Sequence, residues 1–180
     1  MSNIPALQGV HHSAFRCRDA EETRVFYEDI LGLKLVAALD FDRLPGTEKD
    51  YPYMHLFFEM ADGNYVAFFD VPGDVDEDMF KDKWGMDLHF AMEVESMDKL
   101  KEFQARLTQH NVNHFGPIDH DFVHSIYFYD PNGLNVEITV KDANHDKIME
   151  HEEATARENL KKWTERTRAQ KEAANLKLAS

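Results

Sequence analysis

The 180-residue chain is 43% apolar, enough for one packed domain of about 140 residues plus an extension, and it holds no apolar run long enough to span a membrane. Its net charge of −14 argues against nucleic acid or an anionic membrane as a partner. Cys17 is the single cysteine, which excludes an intrachain disulfide, and the opening "MSNIPALQGV" lacks the charged-then-apolar layout of a signal peptide. Both features predict a protein of the reducing cytoplasm.

A short alternating run, "VHHSAFRCRD", opens the pattern near Val10. A helix follows, with Asp19 as N-cap, Glu22 at the capping-box position, Val25, Phe26 and Ile30 as the apolar stripe, and Gly32 as the stop. Strand-like pieces come next near Lys34 to Leu39, Met54 to Met60 and Tyr65 to Val71, with Asp62-Gly63 turning between the last two. The order then recurs. "LHFAMEV" is a strand, Leu100, Phe103 and Leu107 mark a helix, and strand-like runs flank the turn Asp130-Pro131-Asn132-Gly133. Placing His12 over His89 also places Ala14 over Ala91, Phe26 over Phe103 and Ile30 over Leu107. A slightly shorter offset beyond the helices places Gly63 over Gly133 and Ala67 over Glu137. The reading is α+β: a duplicated strand-helix-strand-strand-strand unit, at about 8–72 and 86–141.

The stretch between the units, "DVPGDVDEDMFKDKWG", is acidic and reads as an exposed linker. Past Asp142 the chain is free of Pro and Gly and rich in helix formers, so the division is a domain over 1–142 and a helical extension over 143–180. Met149, Ala156, Leu160 and Trp163 give that helix a thin apolar stripe, able to pack on the domain or on a second subunit. A homo-oligomer is expected.

Glu137 is the first sign of chemistry. Period-2 alternation puts Leu134, Val136, Ile138 and Val140 on one face of the last strand and Asn135, Glu137 and Thr139 on the other. Glutamate is depleted in strands, so this one faces either water or a cavity that needs a carboxylate. His12 and His89 occupy the same slot of the two units, each beside a small alanine. Two imidazoles and a carboxylate from three strands can bind one face of a divalent metal and leave positions open for substrate and oxidant.

These residues carry a family resemblance. "HHSAFRCRD", "VFYEDILGLKLV", a second "HFAMEV" and then "YFYDPNGLNVEI" resemble, in order, the vicinal oxygen chelate superfamily of glyoxalase I, bleomycin-resistance proteins, fosfomycin thiol transferases and extradiol dioxygenases. The match runs from about Val10 to Val140. It implies paired βαβββ modules whose sheets curl round a metal site, with His12, His89 and Glu137 at the positions of metal ligands. Glyoxalase I uses a fourth protein ligand where this chain has Ala67, so three remain. The segment "IDHDFVHSIYFYDPNGLNVE" further resembles the extradiol ring-cleavage signature. That implies His120 and Tyr127 as catalytic residues serving the substrate oxygens, with Fe(II), or Mn(II), as the cofactor.

The expected activity is therefore cleavage of a small catecholic or hydroquinone-like ring with O2. Larger extradiol enzymes carry a further acid/base histidine near a place held here by Asn64 and Tyr65, and His55 is the nearest alternative. A metal-dependent thiol transferase or isomerase is the runner-up, weakened because a phosphonate substrate wants Lys and Arg near the metal. A metal-free, drug-sequestering module ranks last, since three ligand-type residues would then coincide by chance.

Overall fold

The computed structural model describes residues 5–174, so residues 1–4 and the last six of the expected extension lie outside the described residues. The first unit runs β1 (His12–Cys17), α1 (Ala20–Arg24), β2 (Lys34–Arg43), β3 (Asp50–Glu59) and β4 (Tyr65–Asp70). The second runs β5 (His89–Glu93), α2 (Met97–Gln109), β6 (His114–Asp119), β7 (Val123–Tyr129) and β8 (Asn135–Lys141). Each unit is a βαβββ module with the same topology, giving sheets ordered β1-β4-β3-β2 and β5-β8-β7-β6. Within the chain these are two separate four-stranded sheets. They do not form one sheet curled round a centre.

Capping starts both helices. Asp19 accepts a hydrogen bond from the Glu22 amide at 2.7 Å, and Ser96 accepts one from the Lys99 amide at 3.3 Å. The Glu22 carboxylate does not close a capping box; it pairs with the Arg18 guanidinium. Beyond Arg24 the first helix widens into a π-helical turn, Val25–Ile30, which buries Phe26 and Tyr27. Tyr27, Phe58 and Phe68 of the first unit join Leu100, Leu107, Ile126, Phe128, Val136 and Ile138 of the second in one core.

The turn Asp130 to Gly133 fastens the two units together. Asp130 Oδ2 accepts from the Tyr27 hydroxyl at 3.1 Å, and Oδ1 accepts from the amides of Asn132 and Leu134, both at 2.8 Å. Asn132 donates to Thr23 Oγ1 at 3.2 Å and accepts from the Arg18 amide at 2.9 Å. Buried polar groups need such partners, so this turn is a clasp between the modules.

A final helix, α3 (His145–Ala173), leaves most of its described side chains exposed, Leu160 and Trp163 among them; Thr167 is buried. No described helix is long and apolar enough to cross a membrane.

Candidate functional site

Strand register defines the outer face of the second sheet. Phe115 of β6 pairs with Tyr127 of β7, Tyr127 with Glu137 of β8, and Glu137 with Ala91 of β5. One step along, Tyr129, Asn135 and His89 form the next row. Val136, Ile138 and Val140 point the other way into the core, as the alternation requires. Glu137 therefore looks into a cavity.

Glu137 is only 7% exposed, yet its charge has no Lys or Arg partner among the described residues. Oε1 accepts from the Tyr127 hydroxyl at 3.2 Å, and Oε2 lies 3.6 Å from His89 Nε2. His89 Nδ1 is 2.7 Å from the Gly85 carbonyl, an oxygen that can only accept, so Nδ1 donates there and Nε2 is the nitrogen turned toward Glu137. This is the orientation a metal-binding imidazole adopts. A buried carboxylate without a Lys or Arg partner, beside an imidazole nitrogen, fits a divalent ion.

His120 opens the turn between β6 and β7, and its Nε2 lies 2.8 Å from the Tyr127 hydroxyl. His120, Tyr127 and Glu137 thus form a continuous hydrogen-bonded run ending beside His89. Burial first, then the negative charge of Glu137, pushes the Tyr127 phenol up from its ordinary value, so it remains a proton donor at neutral pH.

His12 lies elsewhere, on the outer face of the first sheet. Its ring is 5.1 Å from that of His11, 6.4 Å from His55 and 5.5 Å from Phe57, and its Nδ1 is 2.9 Å from His11 Nδ1. The cavity holding His89 and Glu137 is lined by second-unit residues and by Trp84, Gly85 and Met86. Among the described residues, no three His, Cys, Asp or Glu side chains gather in a cluster able to hold a metal ion. A single chain therefore keeps His89 with Glu137 on one sheet and His12 on the other.

The registers also align the two units. His12 pairs with Tyr65 as His89 pairs with Asn135, and Ala14 pairs with Ala67 as Ala91 pairs with Glu137. Phe57 pairs with Ala67 as Tyr127 pairs with Glu137. The first unit thus has its imidazole but holds alanine for the carboxylate and phenylalanine for the phenol. His55 stands in the slot of Ser125, stacked on Phe69 with centroids 3.7 Å apart, its Nδ1 donating to the Phe68 carbonyl at 3.1 Å. Cys17 takes no part: it is buried, and burial pushes its thiol up to about 12.

Sequence reasoning missed the stretch Lys81 to Leu88. It is strapped to the β7–β8 hairpin: the Lys83 amide donates to the Gly133 carbonyl at 2.8 Å, and the Tyr129 hydroxyl donates to the Lys83 carbonyl at 3.1 Å. The available signal was Trp84 and Met86, large apolar residues where the acidic linker gives out.

Residues 9–138 match the family profile described as the glyoxalase/bleomycin resistance protein/dioxygenase superfamily. The chain belongs to that superfamily. None of the curated proteins matches in a sequence comparison. Among solved structures, a glyoxalase/dioxygenase from Nostoc punctiforme is 25% identical, with a TM-score of 0.57, over 79% of this chain and 99% of its own. A point mutant of the genomically encoded fosfomycin resistance protein FosX from Listeria monocytogenes, complexed with Mn(II) and 1S,2S-dihydroxypropylphosphonic acid, is 18% identical with a TM-score of 0.57, over 78% of this chain and 98% of its own. Lactoylglutathione lyase from Agrobacterium tumefaciens is 19% identical with a TM-score of 0.54, over 75% and 95% respectively. The last two likenesses are of fold.

Proposed function

We infer that this superfamily member is a metal-dependent dioxygenase that opens a small catecholic or hydroquinone-like ring with O2. The observation that carries the reading is the run His120–Tyr127–Glu137 beside His89. His89 and Glu137 would hold the ion, with His12 supplied by a second copy of the chain. Fe(II) is the cofactor the reading favours, with Mn(II) as the substitute. Its chemistry there is Lewis acidity and redox activity at one centre shared by both reactants.

The protein's own contribution is proton control. A tyrosine hydroxyl has one proton, so while Tyr127 donates to Glu137, His120 must donate Nε2–H to the tyrosine oxygen. With Glu137 taken up as a ligand, the Tyr127 hydroxyl would be left to face a substrate oxygen, with His120 donating to it. A phenol and an imidazole on one side of the ring can then take up and return the phenolic protons. In the overall reaction one ring C–C bond breaks and both oxygen atoms enter the product, so no outside reductant is consumed.

Transfer to a phosphonate is the weaker reading, although Mn(II) and a phosphonate occupy the Listeria relative. The lining of the cavity that holds Glu137 contains no Lys or Arg to receive a phosphonate. A metal-free binding role leaves the buried Glu137 charge uncompensated.

The test is oxygen uptake and the absorbance of the ring-opened product with protein loaded anaerobically with Fe(II), across a panel of catechols and hydroquinones. Tyr127→Phe and His120→Asn should retain metal and fold while slowing turnover by about 10²–10³-fold, the usual cost of one such donor. No oxygen uptake by the fully loaded wild type with any member of the panel would defeat the reading.

A further inference from the structure

The cavity beside Glu137 measures about 730 Å³, the size of a pocket for a drug-sized ligand and well beyond what one aromatic ring fills. Its reacting end is His89, Glu137 and Tyr127, and its outer wall is Trp84, Met86 and Phe115. These three are 68%, 80% and 68% exposed, large apolar surfaces left in water around a concave site. The lining holds no Lys or Arg, and Glu137 is its single carboxylate.

Both key wall residues are fixed relative to the reacting end. Phe115 is the cross-strand neighbour of Tyr127. Trp84 precedes Gly85, whose carbonyl holds the His89 ring, and the strap to the β7–β8 hairpin anchors the stretch that carries it.

We propose that this cavity takes a neutral aromatic substrate with an apolar substituent, a second ring or an alkyl chain, which Trp84 and Phe115 recognise. The proposal rests on the reading of His89 and Glu137 as the reacting end and adds the substrate class. An anionic substituent lying along the wall finds no Lys or Arg in this lining. An apolar one is carried across the aromatic wall, each buried methylene strengthening binding about fourfold.

The experiment measures binding without turnover. In the full-length Trp163→Phe chain Trp84 is the sole indole, so its emission reports the cavity directly. Without oxygen or added metal, the protein is titrated with 4-methylphenol through 4-butylphenol, 4-phenylphenol and 4-hydroxybenzoate, and calorimetry on the wild-type chain repeats the series. The expected result is a change in Trp84 emission, a Kd that falls about fourfold per buried methylene, and 4-hydroxybenzoate as the weakest ligand. By calorimetry, Trp84→Ala and Phe115→Ala should each flatten the alkyl series. A flat wild-type series or equal binding of 4-hydroxybenzoate overturns the proposal. Because no oxygen is used, a failed ring-cleavage assay beside an intact binding series would defeat the reaction and leave the cavity assignment standing.

Discussion

If His12 joins His89 and Glu137 only across two copies of the chain, two inactive variants should rescue each other. His12→Ala removes the imidazole of the first-sheet half-site, and Glu137→Ala removes the carboxylate of the second-sheet half-site. The structure separates these two losses, because the Glu137 cavity has no first-unit lining residue. In a twofold dimer each composite site takes one half from each copy. A homodimer of either variant then has no complete site. A mixed dimer has one complete site, built from His12 of the Glu137→Ala chain and His89 with Glu137 of the His12→Ala chain, while its other site lacks both groups. Random pairing in a one-to-one mixture makes about half the dimers mixed, so about a quarter of wild-type metal binding should return. The assay is bound Fe(II) or Mn(II) per chain after the two variants are co-expressed with different tags and the mixed species is isolated, where the yield should be about half. Mixed dimers that bind no metal, or a His12→Ala homodimer with wild-type stoichiometry, would refute the composite site.

Two further outcomes test the clasp and the last helix. Asp130→Ala strands the buried Tyr27 hydroxyl and three other donors, and should cost about 2–4 kcal/mol in urea unfolding. Gly133→Ala should destabilise comparably, because φ is +72° there and a Cβ would collide with the Lys81 carbonyl; a wild-type midpoint for either variant would contradict the clasp. Truncation after Asn144 should leave metal stoichiometry unchanged, since His12, His89 and Glu137 all precede α3, and loss of metal from the folded truncation would show that the helix closes the site.

The duplication was legible because it is written in residue identity. Two imidazoles in matching slots and two Asx-Gly turns at matching offsets locate the strand ends, and the observed registers match His12 with His89, Ala14 with Ala91 and Ala67 with Glu137 as aligned. The facing of Glu137 was legible for the same reason, as period-2 alternation needs only its neighbours. The role of Asp130-Pro131-Asn132-Gly133 was harder to see. Its local pattern marks a turn, but its partners Thr23 and Tyr27 lie in the other unit and no local rule names them. The stretch Lys81 to Leu88 was missed on the same ground: acidic composition marks exposure, whereas its strap depends on backbone groups of Lys83, Gly85 and Gly133 that carry no sequence signal.

The divergence of the two units bears on the proposed composite site. A site built by one module on its own face would need carboxylate, phenol and imidazole together, and the second module has all three in adjoining rows. The first module holds Ala67 and Phe57 in two of those positions and keeps His12 in the third. It therefore cannot run the same chemistry alone, and an alanine and a phenylalanine on that face make it a surface suited to lie against something apolar. The wall of Trp84, Met86 and Phe115 around the second half-site is apolar as well. Bringing the first face of one copy over the second face of another would cover both and deliver His12 as the missing imidazole. It would also close an aromatic-walled space round the substrate, where a low dielectric strengthens the hydrogen bonds of Tyr127 and His120. On this argument the alanine and phenylalanine of the first module, standing where the second has carboxylate and phenol, are what make the two faces complementary.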